Sequence, residues 1–188
     1  MSKRREAARV EPKANGVTTA AEAPGYARAV SWLPESGPGR DDFERTFALR
    51  PDLFAAWREF AGVFFEKRLV DPVILELCRL RIAQLHAARH PLSLRTPAAR
   101  EAGLDEAKLA ALATWWKSPG FSDLQRSCLR FAEQFVTDAK GMSDDEARPV
   151  VAALGDAGTV AFVEALAVFD GISRFCRLLE VAPREGPA

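Results

Sequence analysis

Residues 76–112 read ELCRLRIAQLHAARHPLSLRTPAAREAGLDEAKLAAL, and the division of this stretch into helices decides the fold. Its first part continues a segment opened by Asp71-Pro72, which places Asp at an N-cap and Pro in the tolerated first turn. From there Leu75, Cys78, Ile82 and Leu85 recur at three and four residues, with Ile74 and Leu77 beside them, the mark of a helix with a wide apolar arc. An arc that wide predicts a helix at the centre of the domain. Pro91 predicts a break near His90, because proline fits a helix only in its first turn, where an N–H has no intrahelical partner. The next helix then runs to Gly103, a favoured residue just past a helix end. DEAKLAALATWW starts another, stopped by Ser118-Pro119-Gly120.

The same period extends outward. In PDLFAAWREFAGVFFEKRL (51–69), Leu53, Trp57, Phe60, Ala61 and Phe64 form an amphipathic stripe. Ser122 with Gln125 and Ser143 with Glu146 have the spacing of capping boxes. The first opens a helix through Leu129 and Phe135; the second opens a shorter one that Gly155 ends. A last helix, from about Thr159 to Leu179, carries Phe162, Leu166, Phe169 and Phe175. With no strand alternation of useful length and no solenoid repeat, the expectation is an all-α domain of six to seven helices over residues 41–184. Residues 1–40 are expected to form a tail, disordered to about residue 28, then an extended arm whose Trp32 and Leu33 dock on the domain or on a neighbouring subunit.

Composition narrows the function classes. About half of the chain is apolar (48%) and the formal net charge is zero, so no nucleic-acid or membrane-surface role is expected. No uninterrupted apolar run approaches bilayer-spanning length, and the basic N-terminus lacks the apolar core of a signal peptide; the expected location is cytoplasmic. The three cysteines, Cys78, Cys128 and Cys176, are far apart in apolar segments, which predicts reduced, buried thiols and no disulfide framework.

Both histidines of the chain, His86 and His90, lie four residues apart, a spacing that puts side chains on one helix face. With Glu76 they offer the ligand types of a two-histidine-one-carboxylate iron or zinc site. The break at Pro91 separates them, so no metal and no cofactor is expected.

The 76–112 stretch resembles the core of the carboxymuconolactone decarboxylase and AhpD-like alkylhydroperoxidase family, in which a Glu is followed after eleven residues by Cys-x-x-Cys, three more residues and a His. The flanks are similar too. TWWKSPGFSDLQRSCLRFAEQF resembles the family's Trp-x-Ser-x-x-Phe-Ser-Asp segment, and FVEALAVFDGISRFCRLLEV its closing helix, with Arg174 at the fixed Arg. The resemblance covers roughly residues 50 to 182. It implies the AhpD-like fold, a homo-oligomer (dimer, trimer or hexamer), and peroxidase or decarboxylase chemistry. Laid on without a gap, the family pattern puts its Glu at Glu76 but its two cysteines at Ala88 and Pro91 and its His at Arg95. Thiol peroxidase chemistry needs an attacking thiolate and a resolving thiol, and neither position supplies one.

Several readings remain open. Glu76 pairs with Arg79 one turn on, or with Arg95, because a buried carboxylate needs a counter-charge. Alternatively it is a general base beside His86 or His90 in the former redox pocket. Arg95 and Arg89 offer cations for a small anionic or lactone-like ligand. A scaffold without chemistry, residual antioxidant activity of the family type, and thiol chemistry at Cys78 are the alternatives. An arginine lying on Glu76 favours the scaffold; an open pocket shared with a histidine favours chemistry. Of Trp115-Trp116, one is expected in the core and the other at a subunit contact.

Overall fold

The structure, a computed structural model, describes Leu33, Gly37 and residues 39–66 and 69–184. The expectations for the tail, for Trp32 and for docking of the arm lie largely outside the described residues. Among these residues there are only helices and turns: α1 (Asp42–Phe47), α2 (Pro51–Glu66), α3 (Pro72–Leu85), α4 (Arg89–Ser93), α5 (Pro97–Glu101), α6 (Glu106–Ala111), α7 (Asp123–Asp138) and α8 (Asp144–Leu178), with 3₁₀ turns after α6 and α7. The all-α expectation holds.

Helix α3 is the axis of the fold. Ten of its 14 residues are buried, as its wide apolar arc predicts, and α7, α8, α4 and α5 all pack on it. Asp71 caps its start, accepting from the N–H groups of Val73 and Ile74 at 2.8 and 3.0 Å. Its end is a Schellman turn. Ala88 N–H donates to Ala83 C=O at 2.9 Å and Ala87 N–H to Gln84 C=O at 3.1 Å, with Ala87 left-handed at φ 50°. The break is therefore made at Ala87, four residues after which Pro91 falls in the first turn of α4, where its missing N–H costs nothing. Alanine is a poor residue for that conformation, and the Ala87 side chain is exposed. Ala87→Gly is expected to raise stability by about 0.5–1 kcal/mol, read as a higher urea midpoint with unchanged slope.

The helix expected to continue to Gly103 is two helices. Pro97 pushes the preceding Thr96 out of the helical region, to φ −78°, ψ 130°, so Leu94–Thr96 form an extended link between α4 and α5. Gly103, at φ +88°, closes α5 as foreseen. Both capping boxes are present, at Ser122/Gln125 and Ser143/Glu146. Gly155 interrupts α8 at φ 66°, ψ 177°, a backbone region open only to glycine. A Cβ there would meet no atom within 4 Å, so the cost of Gly155→Ala is conformational alone, about 1–3 kcal/mol in a denaturation experiment.

Phe162, Ala165, Leu166, Phe169 and Cys176 of α8 face the core with Cys128, Leu129, Phe131 and Ala132 of α7. Although no uninterrupted apolar run exists, α8 holds an 18-residue window apolar enough by length and composition to cross a bilayer; isolated carboxylates such as Asp156 and Glu164 punctuate it in the sequence. In this fold its inner face packs on α3 and α7. The α2 stripe is only partly covered: Ala61 and Phe64 are buried, but Leu53 and Phe60 are about half exposed, at 52% and 48%.

Candidate functional site

Glu76 and Arg79 lie one turn apart on α3, so their side chains meet. Arg79 grips the carboxylate with two parallel bonds, Nε to Oε2 at 2.8 Å and Nη2 to Oε1 at 2.7 Å. The same guanidinium donates to the carbonyls of Pro91 at 2.7 Å and Leu94 at 2.9 Å, at the end of α4, where the last carbonyls of a helix lack the usual i+4 partner. Thr96 N–H completes the set, donating to Glu76 Oε1 at 3.2 Å. The pair therefore does two things: it neutralises a fully buried carboxylate, and it ties α3 to the α4–α5 link. Burial pushes the Glu76 carboxyl up, but the Arg79 guanidinium and the Thr96 amide outweigh it and hold the carboxyl below the ordinary glutamate range.

Above Arg79 is a cavity of about 170 Å³. Its lining comes from five helices and the α4–α5 link: Arg79 of α3, Phe43 of α1, Trp57, Ala61 and Phe65 of α2, Phe169 and Cys176 of α8, with His90 of α4 and Thr96 of the link at its rim. His90 is buried and stacks on Phe43, ring centroids 5.1 Å apart. Its Nδ1 lies 3.0 Å from the Ala182 carbonyl. A carbonyl only accepts, so Nδ1 carries the proton and Nε2 is left as an acceptor. Burial keeps this imidazole neutral, lowering its pKa despite the Ala182 carbonyl and the nearby Asp41 and Asp42.

The other expected site residues divide between this cavity and elsewhere. Pro91 lines the cavity, and Ala88, fully buried, precedes it as the residue before α4. Arg95 is not on Glu76; its Nη1 donates to the Leu92 and Leu94 carbonyls at 2.8 and 2.7 Å. Arg89 is exposed. His86, the residue that ends α3, bonds Asp170 of α8 at 2.5 Å, and Asp170 in turn accepts from Arg174 at 2.9 Å. The break at Ala87 thus sends the two histidines to different partners. Among the described residues no group of three His, Cys, Asp or Glu side chains is placed to hold a metal ion.

All three thiols are buried. Burial pushes Cys128 and Cys176 up to about 12 and Cys78 well above its ordinary value, which suppresses the thiolate that peroxide chemistry requires. A thiol-specific disulfide reagent is expected to leave all three unreacted in native protein and to label all three in denaturant. Trp115 is buried, its indole N–H donating to Glu133 Oε1 at 2.8 Å, while Trp116 is 49% exposed.

Both site acidities set a pH dependence. A buried, neutral His90 contributes stability above the unfolded-chain value of about 6.5 and loses it as pH falls toward its lower folded value. Glu76 contributes above about 4.3 and loses it lower still. Denaturant midpoints are therefore expected to fall between about pH 7.5 and 5.5, and His90→Phe to flatten that upper part of the profile.

Cavity-lining residues such as Phe43, Trp57 and Thr96 were not singled out in the sequence as site residues. Phe43 and Trp57 come from segments well before the motif, and no local pattern in the sequence ties them to it.

Comparison with known proteins places this geometry. The model of the carboxymuconolactone decarboxylase family matches residues 51–134, which span α2, α3 and most of α7. The uncharacterized protein YnjA of Escherichia coli (strain K12) is 31% identical over 138 residues, 72% of this chain and 75% of YnjA. In structure the chain is similar to ATU0492 of Agrobacterium tumefaciens, a protein of unknown function given as a candidate antioxidant defence protein AhpD. The TM-score is 0.65 at 18% identity, over 74% of this chain and 96% of that one.

Proposed function

We propose, from the premise that this chain belongs to the carboxymuconolactone decarboxylase family, that it is a diverged member which binds a small molecule in the cavity above Arg79 and carries out no thiol peroxidase chemistry. One observation carries this reading: Arg79, held by Glu76, forms the floor of a cavity at the place where the family's redox motif falls on Ala88 and Pro91. Glu76 is then a charge partner that positions Arg79 and the α4–α5 link, with its proton already gone. Of the two signs that were to separate scaffold from chemistry, the arginine lies on Glu76, while the cavity is shared by Arg79 and His90 and is not lined by Glu76 itself. Binding without proton transfer accounts for both.

The experiment is a hydroperoxide turnover assay with a dithiol reductant, on the wild-type chain and on a variant with all three cysteines changed to Ala. Background rates in both are expected. Turnover that depends on any one cysteine would contradict the reading, and so would turnover that survives their removal.

A homo-oligomer is the second element of the proposal. The half-exposed Leu53, Phe60 and Trp116, together with Val160 at 65% exposure, are apolar surface of the kind that self-association covers. Sedimentation equilibrium is expected to give a mass above one chain, and Phe60→Glu to lower it.

A further inference from the structure

We infer that the cavity takes a neutral, single-ring or similarly compact apolar molecule bearing one hydroxyl group, a phenol or a small alcohol, rather than an anion; this rests on the binding reading above. Size comes first. An apolar cavity of about 150 Å³ accepts a benzene-sized guest, and this one measures about 170 Å³. Its walls are aromatic and aliphatic, Phe43, Trp57, Phe65 and Phe169 among them, so a charged group entering it would lose its hydration against carbon.

Charge comes second. Arg79 is the cation at the floor, but Glu76 already neutralises it through two bonds. Four of its five N–H donors are engaged, by Glu76 twice and by the Pro91 and Leu94 carbonyls. A ligand carboxylate would meet a guanidinium whose charge is already cancelled, and would be repelled by the Glu76 carboxylate held on that same guanidinium. A neutral oxygen can accept from the one remaining Nη1 N–H without that repulsion.

The polar groups at the rim supply the third part. Thr96 Oγ1 is buried and makes no well-formed hydrogen bond, only a weak approach to the Glu76 carboxylate, and a buried hydroxyl without a full partner is costly. It can both donate and accept, while His90 Nε2 only accepts and the spare Arg79 N–H only donates. A donor and an acceptor on one otherwise apolar lining match a hydroxyl group, which is both at once. A carboxylate has no proton to give, and a hydrocarbon satisfies neither.

Isothermal titration and thermal shift with p-cresol, toluene and benzoate test this on the wild-type chain, on Thr96→Val and on Ala61→Leu, which fills the cavity. p-Cresol is expected to bind saturably and several-fold more tightly than toluene, and benzoate not to bind. Thr96→Val is expected to weaken p-cresol about threefold to tenfold while leaving toluene unchanged. Ala61→Leu is expected to abolish both, with an unaltered circular dichroism spectrum showing that it folds. Equal binding of p-cresol and toluene, or no loss in Thr96→Val, would overturn the hydroxyl recognition while leaving a working cavity. Preference for benzoate would overturn the neutrality of the ligand in the same way. Binding of all three that survives Ala61→Leu would place them outside the cavity. Binding of none would remove this inference, and only if a wider ligand screen also failed would it remove the binding function.

Discussion

Glu76→Gln is expected to destabilise the protein by roughly 3–5 kcal/mol, a large fraction of the stability of a domain this size. The glutamine fills the same space, so packing is not what is lost. What remains is a buried guanidinium with no counter-charge, its side chain only 9% exposed, and a Thr96 N–H facing a weaker acceptor. Arg79→Met makes the complementary error. It leaves the carboxylate without a counter-charge at zero exposure and removes one of the donors to each of the Pro91 and Leu94 carbonyls. Because the two residues act as one unit, the double variant is expected to lose clearly less than the sum of the singles. Urea denaturation at neutral pH measures all three. A Glu76→Gln variant as stable as wild type would mean that Arg79 has another anion, and would reopen Glu76 as a free carboxyl.

Phe162→Ala is the second large effect, at about 3–5 kcal/mol. Phe162 has no exposed surface and sits on the face of α8 that packs on α7, its ring 5.7 Å from Phe131. Truncation opens a cavity between rigid helices that have little room to collapse. Leu178→Ala, at the end of the same helix and 66% exposed, is the control and is expected to stay within about 0.5 kcal/mol of wild type. A lower denaturant midpoint with an unchanged slope is the result expected for Phe162→Ala. Equal effects at the two positions would mean that the inward face of α8 has been misassigned.

What could be read in the sequence was local. Asp71-Pro72, the two serine capping boxes, Gly103 and Gly155 each act through bonds within a few residues, and each sits where its chemistry placed it. Helix α3 was legible as the centre because an apolar arc on nearly every side can only be a buried helix. Less visible was the stop at Ala87, since alanine carries no sign of a left-handed turn. That one residue decides where the histidines go. Arg79 was identifiable as a partner of Glu76 from the i, i+3 spacing, but its two carbonyl acceptors depend on where α4 ends. The cavity was not legible at all, because its walls are brought together by tertiary packing of α1, α2 and α8 on α3. Likewise, the Arg95 guanidinium was the alternative partner for Glu76 by analogy of position. The extended link before Pro97 turns it back on its own carbonyls instead.

The proposed function divides labour in the former redox pocket. Charge is settled between Glu76 and Arg79, and on this proposal recognition would fall to the aromatic cavity and its few uncommitted polar groups. A neutral His90, fixed in one tautomer by Ala182, offers an acceptor but no readily released proton.

The central claim, that Glu76 is an ionised partner of Arg79 and moves no proton, is tested most directly by following its side-chain carboxyl by ¹³C NMR between about pH 3 and 8. Glu76 is expected to stay ionised across the neutral range and to titrate below the ordinary glutamate range or only with acid unfolding. A Glu76 carboxyl that titrates near neutrality, in step with His90, would contradict it.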